Sequence, residues 1–70
     1  GTNEVNIRFA ESISDVNAEL YDMNGKLLQT EAFTGQQYIL KRNLLAAGAY
    51  IMVFRSPEGV VVSREEIIFE

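Results

Sequence analysis

Asp22-x-Asn24-Gly25 sets two side-chain oxygens ahead of a glycine, the opening of a calcium-binding loop. An EF-hand needs more oxygen ligands downstream and a closing Glu. Glu31 is present, but Leu27, Leu28 and Gln29 stand where ligands are wanted, so a plain turn is expected. Glu65-Glu66 offers two carboxylates of the kind that cleave glycosides. Adjacent residues of a strand face opposite ways, so this pair cannot converge on one bond. It reads as a solvated stretch protecting an edge strand. Lys41-Arg42 is the one adjacent basic pair, too small to hold a phosphate backbone. Tyr21, Tyr38 and Tyr50 could stack on a sugar, although tyrosines of a small β domain more often serve packing.

The rest of the composition narrows the chemistry further. The 70 residues contain no Cys and no His. Disulfide staples, Ser-His-Asp and Cys-His catalysis are thereby excluded within the chain, and the commonest zinc ligand is absent. Ten acidic residues against six basic ones give a net charge of −4, the wrong sign for a nucleic-acid binder. A non-enzymatic module is expected, with no cofactor, no metal and no nucleic-acid partner. The longest apolar stretch, Leu44 to Phe54, is interrupted by Gly48 and falls short of the roughly 20 residues that span a bilayer. The start, Gly1-Thr2-Asn3, reads as a trimmed end with Gly1 a tag remnant.

The elements that must position these residues are strands. No long window shows an apolar face of helical period. Short β-branched and aromatic runs recur between turn signals. Val5, Ile7 and Phe9 alternate with polar residues in the first run, Glu4 to Phe9. Glu11 to Asp15 reads as a connection around Ile13. Val16, Ala18 and Leu20 share a face in the second run, Val16 to Asp22.

Asn24-Gly25 signals a hairpin into Leu27 to Phe33. A two-residue turn would set Leu20 against Gln29 and Ala18 against Glu31, mixing apolar with polar. A three-residue loop with a left-handed Gly25 pairs Leu20 with Leu28, Ala18 with Thr30 and Val16 with Ala32, and is therefore expected. Asp22 then starts the turn, its carboxylate accepting backbone N–H groups.

Thr34-Gly35-Gln36 reads as another turn, and Gln37 to Arg42 as a fourth run. Leu44 and Leu45 are expected to tuck beneath the domain as a lid. Ala49 to Arg55 is apolar on both faces. Ile51 and Val53 are assigned to the core, which leaves Tyr50, Met52 and Phe54 either as a partner face or as a row covered by the Leu44-Leu45 lid or the long last strand. Ser56-Pro57-Glu58-Gly59 turns the chain into Val60 to Phe69, where Arg64-Glu65-Glu66 suggests a bulge or a change of sheet. No internal repeat of about 20 residues or more stands out. The sum is an all-β chain, one domain over residues 1–70, folded as a small antiparallel sandwich of six or seven strands.

Two clusters are more specific than any of these. Val16-x-x-x-Leu20-Tyr21-Asp22-x-x-Gly25-Lys26-Leu27 is followed by Leu45-x-x-Gly48-x-Tyr50-Ile51, then by a turn with Gly59 and a closing apolar strand. In this order and spacing the chain resembles the C-terminal sorting domain, type A, of the type IX (Por) secretion system. The resemblance implies an Ig-like sandwich that ends a larger protein of a Gram-negative bacterium. It implies that the domain directs this cargo through the periplasm to an outer-membrane translocon, so that the cargo is secreted or displayed on the cell surface. The partners it implies are proteins: the secretion machinery, the cargo domain upstream or another copy of the chain. The family-motif and turn residues are Tyr21, Asp22, Gly25, Leu45, Gly48 and Tyr50. The alternative expectation is a free-standing secreted or surface Ig-like domain that binds a protein or a glycan.

Overall fold

The computed structural model describes residues 3–70, so the reading of Gly1 as a tag remnant lies outside the described residues. The fold is all-β and antiparallel, as expected. The strand count is not: among the described residues four strands form one sheet and no second sheet is built. They are β1 (Glu4–Asp22), β2 (Leu27–Lys41), β3 (Gly48–Arg55) and β4 (Val61–Phe69), in the order β2-β1-β3-β4.

Two bends that look like chain ends account for the expected six, and the split expected at Arg64-Glu65-Glu66 for the seventh. Glu11 to Asp15 lies inside β1, and Thr34-Gly35-Gln36 lies inside β2. The two strands pair from Glu4↔Lys41 to Tyr21↔Leu27, with register shifts between Arg8 and Ile13 and between Ile13 and Val16. Extra residues at such bulges bend a strand without ending its pairing. Asp15 (φ 57°) and Gly35 (φ 148°) take up the positive φ that the bend demands. Polar side chains replace the ladder bonds lost there. The Asp15 N–H donates to Thr34 Oγ1 at 2.9 Å, and the Gln36 amide donates to the carbonyls of Phe9 and Ala10 at 3.0 and 3.1 Å. The shift also explains why the apolar phase moves from odd positions (Val5, Ile7) to even ones (Val16, Ala18, Leu20) while the same side of β1 stays in the core.

The bend folds the long hairpin over the rest of the sheet, and the core lies between. Tyr38, beside Ile7 in the far half of the hairpin, packs edge-on to Phe54 of β3, with ring centroids 5.4 Å apart. Phe9 meets the same Phe54 ring at 4.9 Å. Such edge-to-face pairs add to simple area burial.

The three-residue loop is as expected. Gly25 has φ 86°, its N–H donates to the Asp22 carbonyl at 3.1 Å, and the Asp22 N–H donates to the Lys26 carbonyl at 3.0 Å. The pairing beyond it is not. Leu28 is an extra residue between Leu27, opposite Tyr21, and Gln29, opposite Leu20. Ala18 therefore faces Glu31 and Val16 faces Phe33, so the rejected pairing is the real one beyond the bulge. Its polar cost is met at the edge: the Tyr38 hydroxyl donates to Glu31 Oε1 at 2.7 Å.

The second hairpin repeats the first. The Gly59 N–H (φ 88°) donates to the Ser56 carbonyl and the Ser56 N–H to the Val60 carbonyl, both at 2.8 Å. Val62 is the extra residue there, between Val61 opposite Arg55 and Ser63 opposite Phe54. Each bulge follows its turn glycine by the same interval, and β1 lies antiparallel beside β3 in the middle of the sheet. The sheet thus has a local pseudo-two-fold axis, relating hairpins that share little sequence beyond glycine and apolar positions. The irregularity expected at Arg64-Glu65-Glu66 is absent, since β4 runs in unbroken register from Ser63 to Phe69.

Candidate functional site

The Tyr21-Asp22-Gly25 cluster and the Leu45-Gly48-Tyr50 cluster meet at one end of the sheet. Asp22 lies opposite Tyr50 and Tyr21 opposite Ile51 where β1 pairs with β3. Asp22 Oδ1 accepts from the backbone N–H groups of Asn24 and Lys26, both at 2.9 Å. This is the turn-starting role read from the sequence. It also occupies the carboxylate that a cation would need, and among the described residues no three acidic side chains converge as metal ligands.

The loop that enters β3 is tied down by the second cluster. The Tyr50 ring is buried against Phe69, with centroids 5.9 Å apart, and its hydroxyl donates to the Ala46 carbonyl at 2.6 Å. Gly48, two residues earlier, has φ 144°, a backbone conformation that other residues rarely adopt. Leu45 packs partly buried against the core, as expected of a lid, whereas Leu44 points fully into solvent.

Arg42, in sequence half of a weak basic pair, does more in the fold. Its side chain donates to the Leu45 carbonyl at 2.9 Å and to the Glu70 carbonyl at 2.8 Å, and its guanidinium carbon lies 5.3 Å from the centre of the Phe69 ring. Its backbone N–H donates to the Asn3 carbonyl at 2.8 Å. Through its backbone and its side chain together, this one residue ties the described chain start, the entry loop and the chain end to one another. No spacing signal marks such a role, because its partners are backbone carbonyls distant in sequence.

The reading of Tyr50, Met52 and Phe54 as a partner face is corrected by their burial. Met52 and Phe54 are 0% exposed, and all three belong to the core. The main core takes in this row, because Phe9, Phe33 and Tyr38 of the folded-over hairpin pack on Phe54 and Phe69 of β4 packs on Tyr50. Ile51 and Val53 lie on the other face, outside the main core cluster; Val53 is buried there, as expected of it, and Ile51 only partly. There Tyr21 OH donates to Glu19 Oε1 at 2.8 Å, and Arg55 Nε pairs with the same oxygen at 3.0 Å. The bonds to Glu19 and Tyr21 hold the Arg55 guanidinium above its ordinary pKa. Tyr38, buried on the other side, has its phenol pKa raised, first by burial and then by the hydrogen bond and charge of Glu31. The three tyrosines consequently form no common platform: Tyr21 is outside, Tyr38 and Tyr50 inside.

Two surface features lie near the motif residues or on β2. A shallow polar groove of about 250 Å³ runs along β2, lined by Gln29, Glu31, Tyr38, Ile39, Lys41 and Asn43. Around the Asp22 turn, Met23 (58% exposed) and Leu27 (48%) stand in solvent beside Tyr21. Among the described residues no helix is long and apolar enough to cross a membrane.

A family model described as the secretion system C-terminal sorting domain matches residues 1–69. Neither the search of curated proteins nor that of solved structures finds a match.

Proposed function

The chain belongs to the C-terminal sorting domains of the type IX (Por) secretion system, and on that premise we propose that it directs a larger secreted protein from the periplasm through an outer-membrane translocon. Sorting is recognition by the secretion machinery and involves no bond-making chemistry. The observation that carries the proposal is the meeting of the two motif clusters at one end of the sheet, where Asp22 lies opposite Tyr50. Two stretches far apart in sequence there build one rigid surface from a capped turn and a tied loop. Met23 and Leu27 add exposed apolar area to it, the usual mark of a contact surface. The secretion machinery is the partner that reads this end. The motif tyrosines serve this role indirectly, Tyr50 by holding the entry loop and Tyr21 by its bond to Glu19.

The test is a reporter carrying a signal peptide at its start and residues 1–70 at its end. In a host with the translocon the reporter reaches the surface. In the same host lacking the translocon it stays in the periplasm. Equal surface display in both hosts would overturn the sorting role.

A further inference from the structure

β4 is the outer strand of the sheet and is paired on one side only, with β3. Its free side carries a row of backbone donors and acceptors, the feature by which one sheet takes up a strand from another chain. Natural edge strands are blunted by bulges, by Pro, by brevity or by charge. Between Ser63 and Phe69, β4 has no bulge and no Pro, and its charges, the Glu65-Glu66 pair expected to protect an edge among them, are of both signs, so they can repel one alignment and favour another. Ile67 and Phe69 are buried in the core, so Arg64, Glu66 and Ile68, at alternate positions, stand on the outer face, and all three are exposed. Exposed Val62, the bulge residue, leads into this row. Read along the strand the row is apolar, basic, acidic, apolar, which is its own complement when reversed. Neither charge is satisfied within the chain: among the described residues the one ion pair is Arg55 with Glu19.

We propose that β4 pairs antiparallel with β4 of a second copy about a two-fold axis through Glu65, joining two four-stranded sheets into one. In that register Arg64 lies opposite the partner's Glu66 and Val62 opposite the partner's Ile68, and each pairing occurs twice, as in any isologous contact. Charge selects the alignment. Moving the axis to residue 64 sets Arg64 against the partner's Arg64, and moving it to residue 66 sets Glu66 against the partner's Glu66. The one unfavourable pair in the chosen register is Glu65 with the partner's Glu65 on the axis. This contact surface lies on β4 and leaves Met23 and Leu27 of the proposed sorting surface free.

Sedimentation equilibrium of the 70-residue chain tests it. The parent shows a concentration-dependent monomer–dimer equilibrium. Glu65→Gln tightens it, because a like-charge pair disappears. Arg64→Glu and Glu66→Arg each loosen it by about tenfold or more in Kd, since two cross-strand pairs turn repulsive at once. Mixed together, the two loosened variants associate again, because their charge rows complement each other. Both positions are exposed, so each variant keeps the parent's melting transition. A parent that stays monomeric at every concentration overturns the proposal. So do charge variants that dimerise as the parent does, or a mixture that stays monomeric.

Discussion

Gly25 is the residue on which the first hairpin turns. Its φ of 86° lies in the left-handed region, and a Cβ built there meets no atom within 4 Å. Space is therefore not the constraint, and conformation alone decides. Gly25→Val destabilises the fold by about 1–3 kcal/mol, because a β-branched residue enters the left-handed region only under strain. Gly25→Asn costs a fraction of that, since Asn tolerates this region. Chemical denaturation of the two variants beside the parent checks the order. Equal stabilities would mean that the turn does not hold Gly25 at positive φ. This position was fully legible, because Asn-Gly followed by alternating residues has a local cause. Arg42 was not, since a hub that binds Leu45 and Glu70 through their carbonyls leaves no trace in neighbouring residue types.

At the scale of elements, β2 depends on a bond across its own bend. Tyr38 and Glu31, on opposite sides of Gly35, are joined by a 2.7 Å hydrogen bond. Tyr38 holds its proton more tightly in the folded chain than in the unfolded one, through burial first and Glu31 second. A raised folded pKa gives stability that is fully present below the ordinary phenol value of about 10 and is lost as pH rises above it. Above about pH 10 the parent loses up to about 1.4 kcal/mol per pH unit that Tyr38→Phe does not lose. Denaturation from pH 8 to 11 reads the difference, and parallel curves for the two proteins would contradict it. The elements also mark where local signals mislead. Glu11 to Asp15 and Thr34-Gly35-Gln36 have the composition of turns, yet both lie in a bend where the side chains of Thr34 and Gln36 replace missing ladder bonds. The alternation of β3 was legible but its polarity was not. A strand apolar on both faces does not say which face the rest of the chain covers, and here the folded-over hairpin covers Phe54 while Phe69 of β4 packs on Tyr50.

For the whole molecule, two like hairpins sit side by side about a pseudo-two-fold axis, and the first is extended and folded back as a cover. The relation escapes the sequence because equivalent positions share a class of side chain and rarely an identity, as with Leu20 and Phe54 or Asp22 and Ser56. What breaks the symmetry is the entry loop before β3, held by Tyr50 and Arg42 beside the Asp22 turn. That end of the molecule carries both motif clusters and the exposed side chains of Met23 and Leu27. The most direct measurement is surface display of a reporter ending in residues 1–70, compared between the parent and the double variant Met23→Ser, Leu27→Ser. Neither side chain is buried, so the variant melts within a few degrees of the parent. We expect the parent to bring the reporter to the surface and the folded variant to leave it in the periplasm. A folded variant that displays the reporter as well as the parent does would contradict recognition at this end of the sheet.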